Sequence, residues 1–148
     1  MTIADFLAPA DVIVGLRSID KVQLIRELAR RAAPATGIDA GVIANALQAR
    51  ELLGSTGLGK GFALPHARVP GLARFFGAFA RLARPIDFQA IDDAPVDLVF
   101  LLLIPAGAEN EHVAALAAIS RRLRNTEVLT GVRKAGNAAA LHALIAGG

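Results

Sequence analysis

The sequence predicts a three-layer α/β domain over residues 1–148: a central sheet of mixed parallel and antiparallel strands with helices on both faces. Three observations lead there. Residues 97–104, Asp97-Leu98-Val99-Phe100-Leu101-Leu102-Leu103-Ile104, form an almost unbroken apolar run. It is far shorter than the roughly 20 residues of a membrane-spanning helix and too apolar to face water on either side, so it reads as a central strand covered twice. Helical periodicity precedes this run in two segments and follows it in three. The stretches in between are short and punctuated by Gly and Pro, as strands and turns require.

Taken in order, Ser18 reads as a helix N-cap with Asp20 in the first turn. Val22, Ile25, Leu28, Ala29 and Ala32 then recur at helical spacing, and Pro34 is expected to stop the helix. A second helix starts at Asp39, turns Val42, Ile43, Ala46 and Leu47 inward, passes through Arg50 and ends near Gly54. Gly54-Ser55-Thr56-Gly57-Leu58-Gly59-Lys60-Gly61 holds too many glycines for a regular element and is a loop or tight hairpin. Phe62-Ala63-Leu64 is a short strand closed by Pro65, residues 75–82 are another, and Ile86-Asp87-Phe88 a shorter third. Pro105 and Gly107 end the apolar strand. A helix from about Asn110 then carries Val113, Leu116, Ala117, Ile119 and Leu123 inward, and helices over 126–133 and 137–145 close the chain.

Composition narrows the function. Hydrophobic residues make up 54%, but 31 of the 148 residues are alanine, so core volume has to come from Leu, Ile, Val and Phe. With no cysteine, disulfides, thiolate zinc sites and cysteine nucleophiles are excluded. The N-terminal residues lack the basic-then-apolar pattern of a secretory signal, so a soluble cytoplasmic protein without membrane insertion is expected. Thirteen Arg and three Lys against 13 acidic residues leave a net charge of +3. These cations are scattered, and Tyr and Trp are absent, so no nucleic-acid partner is expected.

Several motifs compete as sites. Gly54-x-x-x-x-Gly59-Lys60 has the spacing of a nucleotide-binding P-loop, but Gly61 stands where the Mg²⁺-binding hydroxyl belongs, and the segment follows a helix and precedes a strand. A structural glycine turn is the better reading. His142 lies within the last helix and is read as a surface or helix-end histidine. His66 follows Leu64-Pro65 at a strand end, where ligands bind in open α/β sheets, although an isolated histidine there is as often an ordinary loop residue. His112 sits in the first turn of its helix, on the face of Leu116, Ile119 and Leu123, and is either a site residue near free helix N–H groups or a satisfied core histidine. Two histidines with Glu109, Glu111 or Asp97 have no diagnostic metal spacing, and Ser55 lacks the setting of a catalytic serine, so neither a metal nor a serine triad is expected. Phosphoryl transfer through histidine fits better. A neutral imidazole is nucleophilic near pH 7 and needs no nucleotide or Mg²⁺ when the donor is already activated.

Residues 54–68, ending in Gly61-Phe62-Ala63-Leu64-Pro65-His66-Ala67-Arg68, resemble the phosphohistidine signature of the fructose/mannitol-type IIA domains of the bacterial phosphotransferase system. Arg50-Glu51 upstream, Pro85-Ile86-Asp87-Phe88, Ala90-Ile91-Asp92-Asp93, Pro95-Val96-Asp97-Leu98 and the Glu111-His112 helix match as well, so the resemblance covers roughly residues 5 to 146. It is strongest to the nitrogen-regulatory branch. The resemblance implies His66 as the phosphorylated residue, with His112 and Arg50 lining the site, Ser55 and Thr56 in a supporting role, and no cofactor. It also implies an HPr-like phosphocarrier of the nitrogen branch as donor, fed by enzyme I, and regulatory targets such as potassium transporters or sensor kinases. A sugar-specific component that passes phosphate to a IIB domain is the alternative. Ala67 departs from the glycine frequent after the histidine and would be strained if that position needed positive φ.

Overall fold

A strand buried on both faces must have its N–H and C=O groups paired along both edges, and the chain is arranged to meet that need. In the computed structural model, which describes residues 1–147, the elements are β1 (Leu7–Leu16), α1 (Lys21–Thr36), α2 (Ala40–Leu52), β2 (Gly57–Gly59), β3 (Phe62–Ala63), β4 (His66–Val69), β5 (Phe76–Ile86), β6 (Val96–Pro105), α3 (Glu111–Arg124), α4 (Thr126–Lys134) and α5 (Ala138–Ala146). Gly148, the last residue of the expected domain, lies outside the described residues. The apolar run is β6, at the middle of a six-stranded mixed sheet ordered β1-β5-β6-β3-β2, with β4 also on β6. β5 pairs antiparallel along one edge of β6, while β3 and β4 follow one another in parallel along the other.

Alternation along β6 divides the core. Val99, Leu101 and Leu103 face α1 and α2, packing with Leu24, Ile25, Leu28, Ile43 and Leu47. Leu98, Phe100, Leu102 and Ile104 face α3, α4 and α5, packing with Ile119, Leu123, Val132 and Leu141. The three layers are therefore those the sequence predicts. Basic side chains tie neighbouring elements together. Arg81 donates to the carbonyls of Val132 (2.9 Å) and Ala135 (2.7 Å) at the end of α4, and Arg122 donates to that of Leu144 (2.9 Å) near the end of α5.

Several local expectations change. β1 carries no clear strand pattern in the sequence, because Pro9, Asp11 and Gly15 interrupt any alternation. Its parallel pairing with β5 shifts register between Leu7 and Val12, so the irregular residues sit on a sheet edge where they disturb nothing. The first helix is capped by Asp20, whose carboxylate accepts from Gln23 N–H at 2.8 Å, and not by Ser18. It also runs past Pro34. A proline in the last turn removes one hydrogen bond, and the helix closes at Gly37 in the left-handed region (φ 73°), whose N–H donates to Ala33 O at 2.9 Å. Residues 86–88 form no separate strand: Ile86 ends β5, and 87–95 is an irregular loop. On α3, Val113 and Ala117 face solvent while Ala115, Ile119 and Leu123 are buried. His142 is half-buried, and its Nε2 donates to Leu7 O at 2.9 Å, pinning α5 to β1.

The glycine segment is a hairpin. β2 and β3 pair antiparallel about Lys60 (φ 57°) and Gly61 (φ 80°), the two left-handed residues of a two-residue turn. Gly61 has a second reason to lack a side chain: a Cβ there would lie 2.5 Å from Arg133 Nη2 and 2.8 Å from Asp97 Oδ1. Those two groups form a bidentate pair (2.8 and 2.9 Å), and the same guanidinium donates to Lys60 O at 2.7 Å, fastening the turn to α4. Gly61→Ala is expected to cost roughly 1–2 kcal/mol from the backbone conformation alone, and more through the displaced pair. Urea denaturation measures it, and a loss below about 0.5 kcal/mol would show that the turn can relax.

Candidate functional site

The site begins with a break in strand pairing. Phe62 and Ala63 lie opposite Leu98 and Val99 of β6, and His66 and Arg68 lie opposite Leu102 and Ile104, so the register is the same before and after Leu64-Pro65. Pro65 has no N–H to offer, but its carbonyl still accepts from Leu102 N–H at 3.0 Å, which carries the segment across the gap. On the outer edge Leu64 faces Thr56. An antiparallel pair normally exchanges two hydrogen bonds, and here only one forms, Leu64 N–H to Thr56 O at 2.9 Å. Thr56 N–H donates instead to Glu51 Oε1 at 3.1 Å. The Leu64 carbonyl accepts instead from the His66 ring, with Nδ1 at 2.8 Å.

That contact sets the chemistry of His66. A carbonyl oxygen only accepts, so Nδ1 carries the proton, and in the neutral ring Nε2 holds the free lone pair. Burial pushes the His66 imidazole below its ordinary value. The Leu64 carbonyl pulls the other way, Arg50 adds to the depression, Glu51 opposes it and His112 lowers it a little further. Arg50, Glu51 and His112 are thus all near enough for their charge to be felt at the ring, which draws the end of α2 and the first turn of α3 together around β4.

The remaining expected residues fall as follows. Arg50, in the last turn of α2, donates from Nη1 to Gly54 O at 2.9 Å, which anchors the guanidinium beside the loop. Ser55 Oγ donates to Phe88 O (2.8 Å) and accepts from Gly57 N–H (3.0 Å). Thr56 is buried, and its hydroxyl donates to Glu51 Oε2. Both hydroxyls therefore hold the loop in place. His112 is half-buried, and its Nδ1 lies 3.3 Å from Arg68 Nη2. Asn110 makes no side-chain cap, so the α3 N-terminus keeps free N–H groups next to His112. Ala67 is not among the residues with positive φ and pairs regularly with Leu103, so alanine is unstrained there.

Glu51 and Arg68 also border the site, with contacts that the sequence does not announce as a role. Glu51 accepts from Thr56 twice and pairs with Lys21 Nζ at 2.8 Å, with side-chain exposures of 5% and 14%. The ammonium also sits 4.6 Å from the centroid of the Phe88 ring. No local pattern announces this, because Lys21, Glu51 and Phe88 come from three separate elements. Arg68 had a signal: two residues after His66 on a strand, it must share its face. Among the described residues, no group of three or more His, Asp or Glu is placed to hold a metal ion.

Residues 5–147 match the family described as "Phosphoenolpyruvate-dependent sugar phosphotransferase system, EIIA 2". The chain belongs to this family. A nitrogen regulatory protein of Bradyrhizobium diazoefficiens is 44% identical to this IIA chain over 146 residues, covering 99% of it and 95% of the relative. The crystal structure of the nitrogen regulatory protein IIA-Ntr from Neisseria meningitidis superposes with a TM-score of 0.92 at 30% identity, covering 97% and 98% of the two chains. The Escherichia coli IIA mannitol structure shares the fold, with a TM-score of 0.78 at 20% identity over 94% and 98%. The IIA fold is thus established, and among the described residues no helix is long and apolar enough to cross a membrane.

Two outcomes test the site. Glu51→Ala leaves the Lys21 ammonium buried without its partner and should destabilise the domain by roughly 3 kcal/mol, read by chemical denaturation; a loss below about 1 kcal/mol would mean that water replaces the carboxylate. For His66, the folded ring binds its proton less readily than the unfolded one, so its contribution to stability is complete above the ordinary value of 6.5 and is lost as pH falls through the lower folded value. Wild type should therefore lose stability faster than His66→Asn as pH falls below 6.5. Equal slopes would show that the ring is not shielded.

Proposed function

We propose that this IIA chain is a cytoplasmic phosphoryl carrier that takes phosphate on Nε2 of His66 from an HPr-like phosphocarrier of the nitrogen branch, itself charged through enzyme I. The observation that carries the reading is the Nδ1–Leu64 hydrogen bond in a ring that burial keeps neutral. It leaves one ring nitrogen unprotonated and fixes its direction. In the transfer the Nε2 lone pair forms the new N–P bond while the donor's P–N bond breaks, and the electron pair leaves with the donor imidazole. No proton has to move and no nucleotide or metal is needed. Arg50, the His112 ring and the free N–H groups of α3 can balance charge on the phosphoryl oxygens.

The surroundings support a protein as donor. Large apolar side chains stand exposed on the elements that border the site: Leu52 (87%) and Leu53 (84%) at the end of α2, Ile91 (82%) in the 87–95 loop, Leu58 on β2 and Val113 beside His112. Such residues are costly in water unless a partner covers them, and Arg50 among them suits an acidic or phosphorylated one. We assign the output to regulation, in nitrogen, potassium or carbon control, with potassium transporters or sensor kinases as the class of target. The full-length likeness to proteins named nitrogen regulatory supports this. The family description, which names a sugar system, supports the second reading, in which phosphate passes to a IIB domain for sugar uptake.

Incubation with phosphoenolpyruvate, enzyme I and an HPr-like protein should label wild type with acid-labile phosphate. His66→Ala should take up none, and His112→Ala should be labelled more slowly while keeping its circular-dichroism spectrum. Unlabelled wild type rejects the carrier reading, and labelled His66→Ala rejects the site. Rapid discharge to a sugar-specific IIB, but not to buffer, would favour the uptake reading.

A further inference from the structure

Arg68 carries no role in the reaction described above, yet it is the most heavily bonded side chain near the site. Its Nη1 donates to the carbonyls of Ala106 (3.3 Å) and Ala108 (2.5 Å), and its Nη2 lies 3.3 Å from both the Glu109 carbonyl and Nδ1 of His112. Three carbonyls of the 106–109 loop thus hold one guanidinium against one imidazole nitrogen. A guanidinium has donors only. Nδ1 of His112 must therefore accept, and in the neutral ring the proton is on Nε2.

The two histidines consequently carry opposite tautomers. His66 has its proton on Nδ1 and a lone pair on Nε2; His112 has a lone pair on Nδ1 and its proton on Nε2. One strand builds both. His66 and Arg68 are two residues apart on β4, opposite Leu102 and Ile104, and so share the face that packs toward α3. We propose that Arg68 is a positioning residue for phosphoryl transfer: it fixes His112 with Nε2–H free to donate to a phosphoryl oxygen on His66. Without Arg68 the His112 ring can rotate or change tautomer and present an acceptor lone pair to an anionic oxygen, which repels it. The argument rests on the proposed function, since it names a residue for that same transfer.

The test is a double-mutant cycle on the rate of phosphoryl transfer from the phosphorylated HPr-like donor. Arg68→Ala should lower kcat roughly tenfold with little change in KM, the size usual for a hydrogen bond that orients a functional histidine. In a His112→Ala background the same substitution should have no further effect, because Arg68 acts through a ring no longer present. Additive losses would overturn the proposal and mean that Arg68 meets the phosphoryl group itself; a change confined to KM would overturn it in favour of docking. An NMR measurement of imidazole nitrogens in the unphosphorylated protein stands apart from transfer. Wild type should show His112 Nδ1 unprotonated, and Arg68→Ala should shift its signals toward exchange between tautomers. If wild type takes no phosphate yet shows this pattern, the carrier reading fails and the pairing stands. If His112 Nδ1 is protonated in wild type, the pairing itself is refuted.

Discussion

One hydrogen bond that does not form organises the site. Thr56 and Leu64 stand opposite each other at the end of an antiparallel pair and make only one of their two expected bonds. Glu51 takes the Thr56 N–H, and the Leu64 carbonyl is left to the His66 ring. A buried carbonyl without a partner costs on the order of 1–3 kcal/mol, so that imidazole is held by the need of the backbone as much as by its own. The tautomer of His66 is thus a consequence of strand pairing at the end of the hairpin.

Glu51 can play that part because its own charge is provided for. Lys21 on α1, the Thr56 hydroxyl and the Thr56 N–H surround the carboxylate, and the Lys21 ammonium rests near the face of the fully buried Phe88. A buried ion pair adds little net stability when compared with apolar packing, but removing one partner is expensive, which makes it a strict constraint on geometry. Ser55 extends the constraint by donating to Phe88 O, and Ile91 N–H donates to Gly57 O at 3.0 Å. The loop 87–95 and the hairpin are therefore hydrogen-bonded to one another, with apolar Leu58 and Ile91 displayed on the outside.

The electrostatics follow the same economy of parts. Burial and the neighbouring Arg50 disfavour a charged His66, which leaves the Nε2 lone pair available for the transfer proposed above, and the same positive groups would face a phosphoryl group placed there. The basic composition of the chain has a structural explanation alongside this one. Arg81, Arg122, Arg133 and Arg68 each donate to backbone carbonyls at helix ends or turns, so these four cations are fixed to the scaffold.

The layers and the central strand were legible in the sequence, and so were the positions of the candidate residues His66, His112 and Arg50. Continuous apolarity at 97–104 and helical periodicity on both sides are local properties, and the Gly-rich segment before Leu64-Pro65-His66 is a local string. It could not disclose β1, whose Pro9, Asp11 and Gly15 become acceptable only at a sheet edge against β5. Nor could it reveal that the first helix passes Pro34, or that Val113 faces outward, since both depend on what packs around them. The pairing of these residues emerges only in three dimensions: Glu51 with Lys21 and Thr56, Arg68 with the 106–109 carbonyls and His112, and the Leu64 carbonyl with His66. Most of these partners are far apart in sequence, and a hydrogen bond depends on distance and direction, which no spacing rule along the chain contains.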